Sequence, residues 1–179
     1  MACFTVPLAT AVAATAAKGA IPESRRGNPF VARLGLLCRM MFGGSFLLAI
    51  EHVYHGEVIF SPPFLTAVKN GETAEMLHEM ATRGVAMAVL VTVVWAVAVG
   101  VSVAIGRAER RSAGAGAALT TMLMFAGAAL MWSVDCVGNA IEGEPLFDFM
   151  DAKLGCIVIA AGLLVYAALA LFERRFARA

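Results

Sequence analysis

Residues Gly84–Gly106 read GVAMAVLVTVVWAVAVGVSVAIG, an unbroken apolar run without one charged side chain. A helix needs about 20 such residues to cross roughly 30 Å of hydrocarbon. A soluble core helix of this length would show a polar face at helical spacing, and this one has none. Working outward, two more uncharged runs meet the same criterion, Ser112–Val134 and Leu154–Phe172. A fourth, Leu34 to Tyr54, contains Arg39 close enough to its start for the guanidinium to reach the headgroups. The sequence therefore predicts an all-α integral membrane protein, a bundle of four transmembrane helices. Composition agrees: the 179 residues are 60% hydrophobic and 15% charged, against about 25% charged in soluble domains. A net charge of +1 leaves no excess of cations for phosphates, so nucleic acid is not an expected partner.

Eleven of the 14 basic residues, Lys18, Arg25, Arg26, Arg33, Arg39, Arg107, Arg110, Arg111, Arg174, Arg175 and Arg178, fall on one side of these spans. Only Lys69, Arg83 and Lys153 fall on the other. Lysine and arginine in short loops set orientation, which predicts a multi-pass inner-membrane protein with both termini cytoplasmic. The opposite side collects ten of the 13 carboxylates and all three histidines. The expected organisation is a cytoplasmic extension over residues 1–33, a first hairpin over 34–111 with an outer loop near 55–75, and a second over 112–179 with an outer loop near 140–152. Residues 1–17 lack a basic start, so a cleaved secretory signal fits poorly, and a frayed or surface-lying extension is expected instead. An organelle transit peptide is a weaker alternative.

An offset of 84 residues lays Glu51-His52 over Asp135-Cys136 and Gly43 over Gly127. This suggests an internal repeat, two tandem helical hairpins related by an axis along the membrane normal. Gly43, Gly44, Gly114, Gly116, Gly127, Gly155 and Gly162 would allow close helix approach within the bundle, in a homo-oligomer or with another subunit of a membrane complex.

Chemistry-bearing residues gather at the outer edge. Glu51 and His55 share one helix face at i and i+4, His52 lies one step around, and Glu57 follows. His78 and Glu79 precede Arg83 at the mouth of the second span. Asp135, Asn139 and Glu142 form a stripe at the end of the third, opposite Arg83 and Lys153, with Cys136 and the belt residue Trp132 beside them. Imidazoles and carboxylates are ligands for divalent transition metals, so Glu51, His52, His55, His78, Glu79 and Asp135 are the candidate metal set. Helix capping and ion pairing are the competing roles for the same residues. The order Glu-His-x-x-His differs from the His-Glu-x-x-His of zinc proteases. Haem b is the alternative cofactor, with His78 and either His52 or His55 as axial ligands, and a non-catalytic structural subunit is the third reading. For Arg83 the expected partners are Glu79, one turn earlier, and Asp135. Cysteines 3, 38, 136 and 156 lack Cys-x-x-Cys spacing; Cys136 and Cys156 could pair as a disulfide or remain small apolar thiols. No phosphate-binding loop, nucleophile elbow or Ser-His-Asp pattern is present, so soluble enzyme chemistry has no support.

Overall fold

The structure is a computed structural model that describes residues 2–104, 116–143 and 149–176; side chains are described for these except 149–152 and 173–176. Arg107, Arg110, Arg111, Gly114, Glu144, Asp148 and Arg178 therefore lie outside the described residues, as does part of the loop expected near 140–152. The side chains of Asp151, Arg174 and Arg175 lie outside them too.

The described residues are helical, without a β-strand. Seven α-helices follow in chain order: α1 (Thr5–Ala20), α2 (Pro29–Tyr54), α3 (Thr66–Asn70), α4 (Thr73–Glu79), α5 (Val85–Ala104), α6 (Ala117–Glu142) and α7 (Phe149–Phe176). A π-helical turn, Met80–Gly84, joins α4 to α5. Four helical segments are long and apolar enough to cross a membrane: Pro29–Tyr54, Thr73–Ala104, Ala117–Glu142 and Lys153–Phe172. Helices continue through polar residues when caps and partners satisfy them, so segments such as Thr73–Ala104 begin well before the uncharged run that marked them. Asn28 starts α2 ahead of Leu34, its side chain accepting from the Phe30 amide at 2.9 Å, with Pro29 in the first turn where a missing N–H costs nothing.

The helix α5 runs opposite to both α2 and α6, which are therefore parallel to each other. At one end of the bundle Trp95 donates its indole N–H to the Arg33 carbonyl at 3.2 Å, fastening α5 to the start of α2. At the other end Arg83 reaches the last turns of α6. The helices α2 and α6, two spans apart in sequence, lie side by side where Gly43, Gly44 and Gly127 coincide. A Cβ on Gly44 would stand 2.8 Å from the Gly127 carbonyl carbon, and one on Gly127 would overlap the Met40 carbonyl. Small residues permit this approach, and dispersion contacts across it replace the hydrophobic drive that is absent in lipid. Met41, Leu47, Met87, Val91 and Met131 fill the centre and are almost fully buried. Outside, Val89, Val93, Val97 and Val101 on α5 and Ile159, Leu163 and Leu164 on α7 are exposed. Such apolar surface is untenable in water and ordinary against acyl chains.

The first residues depart from the sequence expectation. Instead of an extension lying outside the bundle on the Arg33 side, α1 packs along α2 and runs antiparallel to it. Lys18 places its ammonium over Gly35, near the start of α2, whereas Cys3 lies against His52, near its end. Ala2, Pro7 and Ala11 are buried. The physical reason is the uncharged stretch from Ala2 to Ala17: the 16 helical residues of α1 span about 24 Å, most of the hydrocarbon thickness, so lying along α2 buries them better than lying on the surface.

Candidate functional site

Three segments meet at the His52 end. The last turns of α2 carry His52, and Gly56, with φ of 73°, turns the chain away from the helix. Residues 57–65 then fold back, Val58 bridging to Leu65, with Phe60 at the exposed tip. Beyond it α3 and α4 cover the first residues of the chain: Ala2 is enclosed by Ala67 and Met76, with Leu65 and Met80 around them. Thr5 locks this first turn by donating its hydroxyl to the Ala2 carbonyl at 2.6 Å.

His52 is the focus. It is only 7% exposed, and its Nδ1 lies 2.8 Å from the Leu48 carbonyl. A carbonyl oxygen only accepts, so Nδ1 carries the proton and the neutral ring presents the Nε2 lone pair on its other side. Nε2 faces the Cys3 Sγ at 3.3 Å, and the thiol donates to it. The ring edge rests against Phe4, centroids 4.9 Å apart, and one carboxylate oxygen of Glu57 is 3.7 Å from Nε2. Imidazole orientation is therefore fixed on three sides. The Cys3 thiol is pushed up to about 12, first by burial and then by the negative charges of Asp135, Glu51 and Glu79. It remains protonated at neutral pH, the carboxylates of α2, α4 and α6 acting in that direction and the positive charge of the amino terminus partly opposing them.

The expected six-residue cluster is thus only partly assembled. Glu51, next to His52 in sequence, is about a quarter of a helical turn away; it lines a cleft of about 340 Å³ between α2, α6 and α7, together with Trp132 and Leu154. His55 follows the last residue of α2, exposed, its ring packed on Tyr54 at 5.5 Å. His78 is exposed on α4. These two rim histidines do not occupy the apolar cleft that axial haem ligation requires. Glu79 and Asp135 are half-buried, near enough to Cys3 to act on it electrostatically. Among the described residues no three His, Cys, Asp or Glu side chains stand ready in metal-ligand geometry. No disulfide joins any of the four cysteines, and Cys136 and Cys156 are not bonded to each other.

Arg83 also differs from expectation. Its guanidinium donates to Glu142 Oε2 at 2.6 Å and to Asn139 Oδ1 at 3.1 Å, in place of the expected Glu79 and Asp135. The π-helical turn that contains Arg83 has more residues per turn than an α-helix, which swings the side chain off the Glu79 face and toward α6. Gly138 gives it room, since a Cβ there would lie 3.2 Å from Arg83 Nε. With Arg83 half-buried and Glu142 well exposed, solvent screening reduces the pair's worth. Arg83→Ala should therefore destabilise the protein by about 1–2 kcal/mol, and Lys69→Ala, on the exposed end of α3, by less than about 0.5 kcal/mol. Thermal melts in detergent measure the difference; equal shifts for the two variants would mean that the tie to α6 contributes nothing.

Cys3 is the residue that sequence reasoning missed. Its signal was the uncharged stretch ending at Lys18: a lysine on the Arg33 side sends the other end of a 16-residue helix to the His52 side. No known protein family, curated protein or solved structure matches this chain.

Proposed function

We propose that this multi-pass membrane protein binds a transition-metal cation of the zinc class at its His52 end, with Cys3 and His52 as the primary ligands. The carrying observation is the pairing of a buried thiol with an imidazole whose other nitrogen is bonded to a carbonyl, the arrangement by which proteins fix a metal-ligating histidine. Sulfur and nitrogen ligands at about 2.3 and 2.0–2.1 Å from one tetrahedral zinc lie about 3.5 Å apart, and Cys3 Sγ and His52 Nε2 are 3.3 Å apart. Glu57, 3.7 Å from Nε2, supplies an oxygen ligand after a side-chain rotation, and water completes the shell. The nearby carboxylates of Asp135, Glu51 and Glu79 favour a dication, and the Cys3 proton leaves to solvent as the metal binds. His55, Glu51, Glu79 and Asp135 then serve as charge around the site, and His78 lies apart from it, exposed on α4.

Purified protein in detergent should bind one zinc ion per chain. Cys3→Ser and His52→Gln should each weaken binding at least tenfold, while His78→Gln leaves it unchanged. Binding that is absent in the wild type, or undiminished in both variants, contradicts the proposal.

The distribution of basic residues favours insertion in the inner membrane with the Lys18 and Arg33 end in the cytoplasm and the His52 end outside. The coincidence of Gly43 and Gly127 at the contact of α2 with α6 favours descent of the two hairpins from one. For the orientation, a cysteine introduced at Asn70 should be labelled from outside in intact cells; labelling only after lysis would reverse it.

A further inference from the structure

The end of the bundle remote from Cys3 contains a second cavity, of about 490 Å³, where the last turn of α1 meets the first turns of α2. Thr15, Lys18, Gly19, Arg26, Val31 and Ala32 line it. Two of these carry positive charge and none carries negative charge. Gly35 lets the Lys18 ammonium rest directly on α2, 3.2 Å from where a Cβ would be, which holds the charge at the rim of the cavity. Arg26 is paired with Glu23 at 3.5 Å, but both side chains are largely exposed, 57% and 91%, so the pair is weak and the guanidinium is easily recruited. Val31 and Ala32 belong to the first apolar turns of a membrane-crossing helix. The cavity therefore spans the level where lipid phosphates end and acyl chains begin.

We propose that this cavity is a headgroup site for an anionic phospholipid. The phosphodiester oxygens would lie between Lys18 and Arg26, with the acyl chains passing down past Val31. A planar guanidinium and an ammonium together suit a phosphate. Basic pockets between membrane helices attract anionic headgroups by the same charge complementarity. A free phosphate shares the polar chemistry but leaves the apolar wall beside Val31 uncovered, which favours the lipid.

The test compares melting temperatures in detergent with added phosphatidylglycerol, phosphatidylcholine or inorganic phosphate, for wild type and for Lys18→Gln/Arg26→Gln. Phosphatidylglycerol should raise the wild-type melting temperature by several degrees and the double variant by less than half as much, with little effect of the other two additives. Lys18→Arg, which keeps the charge, should retain the response. Equal stabilisation of wild type and double variant, or an equal effect of phosphatidylcholine, overturns the proposal. Stabilisation by inorganic phosphate as large as that by the lipid also overturns it, in favour of a free-anion site. Native mass spectrometry gives a second readout: wild type should retain phosphatidylglycerol and the double variant should lose it.

Discussion

Gly127→Val should abolish the folded bundle, or lower its melting temperature by ten degrees or more in detergent, whereas Gly155→Ala should change it by no more than a degree or two. Both glycines lie on membrane-crossing helices, and in the sequence both are simply small residues able to permit close packing. Their surroundings separate them. A Cβ on Gly127 would overlap the Met40 carbonyl of α2, a backbone atom that no side-chain rotation can move. Valine must push α2 and α6 apart along the contact that also holds Gly43 and Gly44. Overpacking costs about 1–3 kcal/mol even where neighbours can yield, and a rigid neighbour places this site at the upper end or beyond. Around Gly155 nothing approaches within 4 Å, and alanine has the better helix propensity by about 1 kcal/mol. Melting curves for the two variants decide the matter, and similar losses in both would show that α2 and α6 are not held by this crossing.

Alkali should destabilise wild type more than Cys3→Ser. The thiol ionises near 9 in the unfolded chain and at about 12 in the folded one, so the folded state holds a proton that the unfolded state releases between those values. The contribution to stability is complete below pH 9 and is lost as pH rises toward 12. It falls by about 1.4 kcal/mol per pH unit, on the order of 2 kcal/mol by about pH 10.5. Serine keeps a hydroxyl donor for His52 Nε2 and does not titrate in this range, so the difference between variant and wild type removes the effects of lysines and tyrosines common to both. Melting temperatures measured from about pH 8 to about pH 10.5 should converge at the acid end, after allowance for a constant offset, and separate at the alkaline end. A constant offset across the range would mean that the Cys3 thiol is no more protonated in the folded protein than in the unfolded chain.

The four long helices are legible in the sequence because hydrocarbon imposes one requirement, about 20 apolar residues, which Gly84–Gly106 satisfies by itself. Their ends are not, because Asn28, Glu79 and Asn139 are ordinary polar residues that only a cap or a partner reveals as belonging to a helix. The polar cluster is legible as a location and not as a constellation. The span lengths put histidines 52, 55 and 78 at one end of the bundle, yet whether a side chain points at its neighbours depends on helix rotation, and the π-helical turn at Met80–Gly84 alters that rotation without leaving a sequence mark. Arg83 finds Glu142 and Asn139 for this reason. Cys3 is hidden differently. The 16 residues of α1 fall below the length that announces a membrane span, and only packing against α2 shows that this helix runs alongside one.

If Cys3 and His52 bind one ion together, the optical spectrum of the cobalt(II)-loaded protein reports it, because cobalt replaces zinc and a coordinated thiolate gives an intense near-ultraviolet charge-transfer band. Wild type should show that band, with visible transitions of tetrahedral intensity. Cys3→Ser should lose the charge-transfer band, His52→Gln should shift the visible transitions, and Cys38→Ser should match wild type. A thiolate band that survives in Cys3→Ser, or a wild-type spectrum no different from cobalt in buffer, would rule out joint ligation by Cys3 and His52.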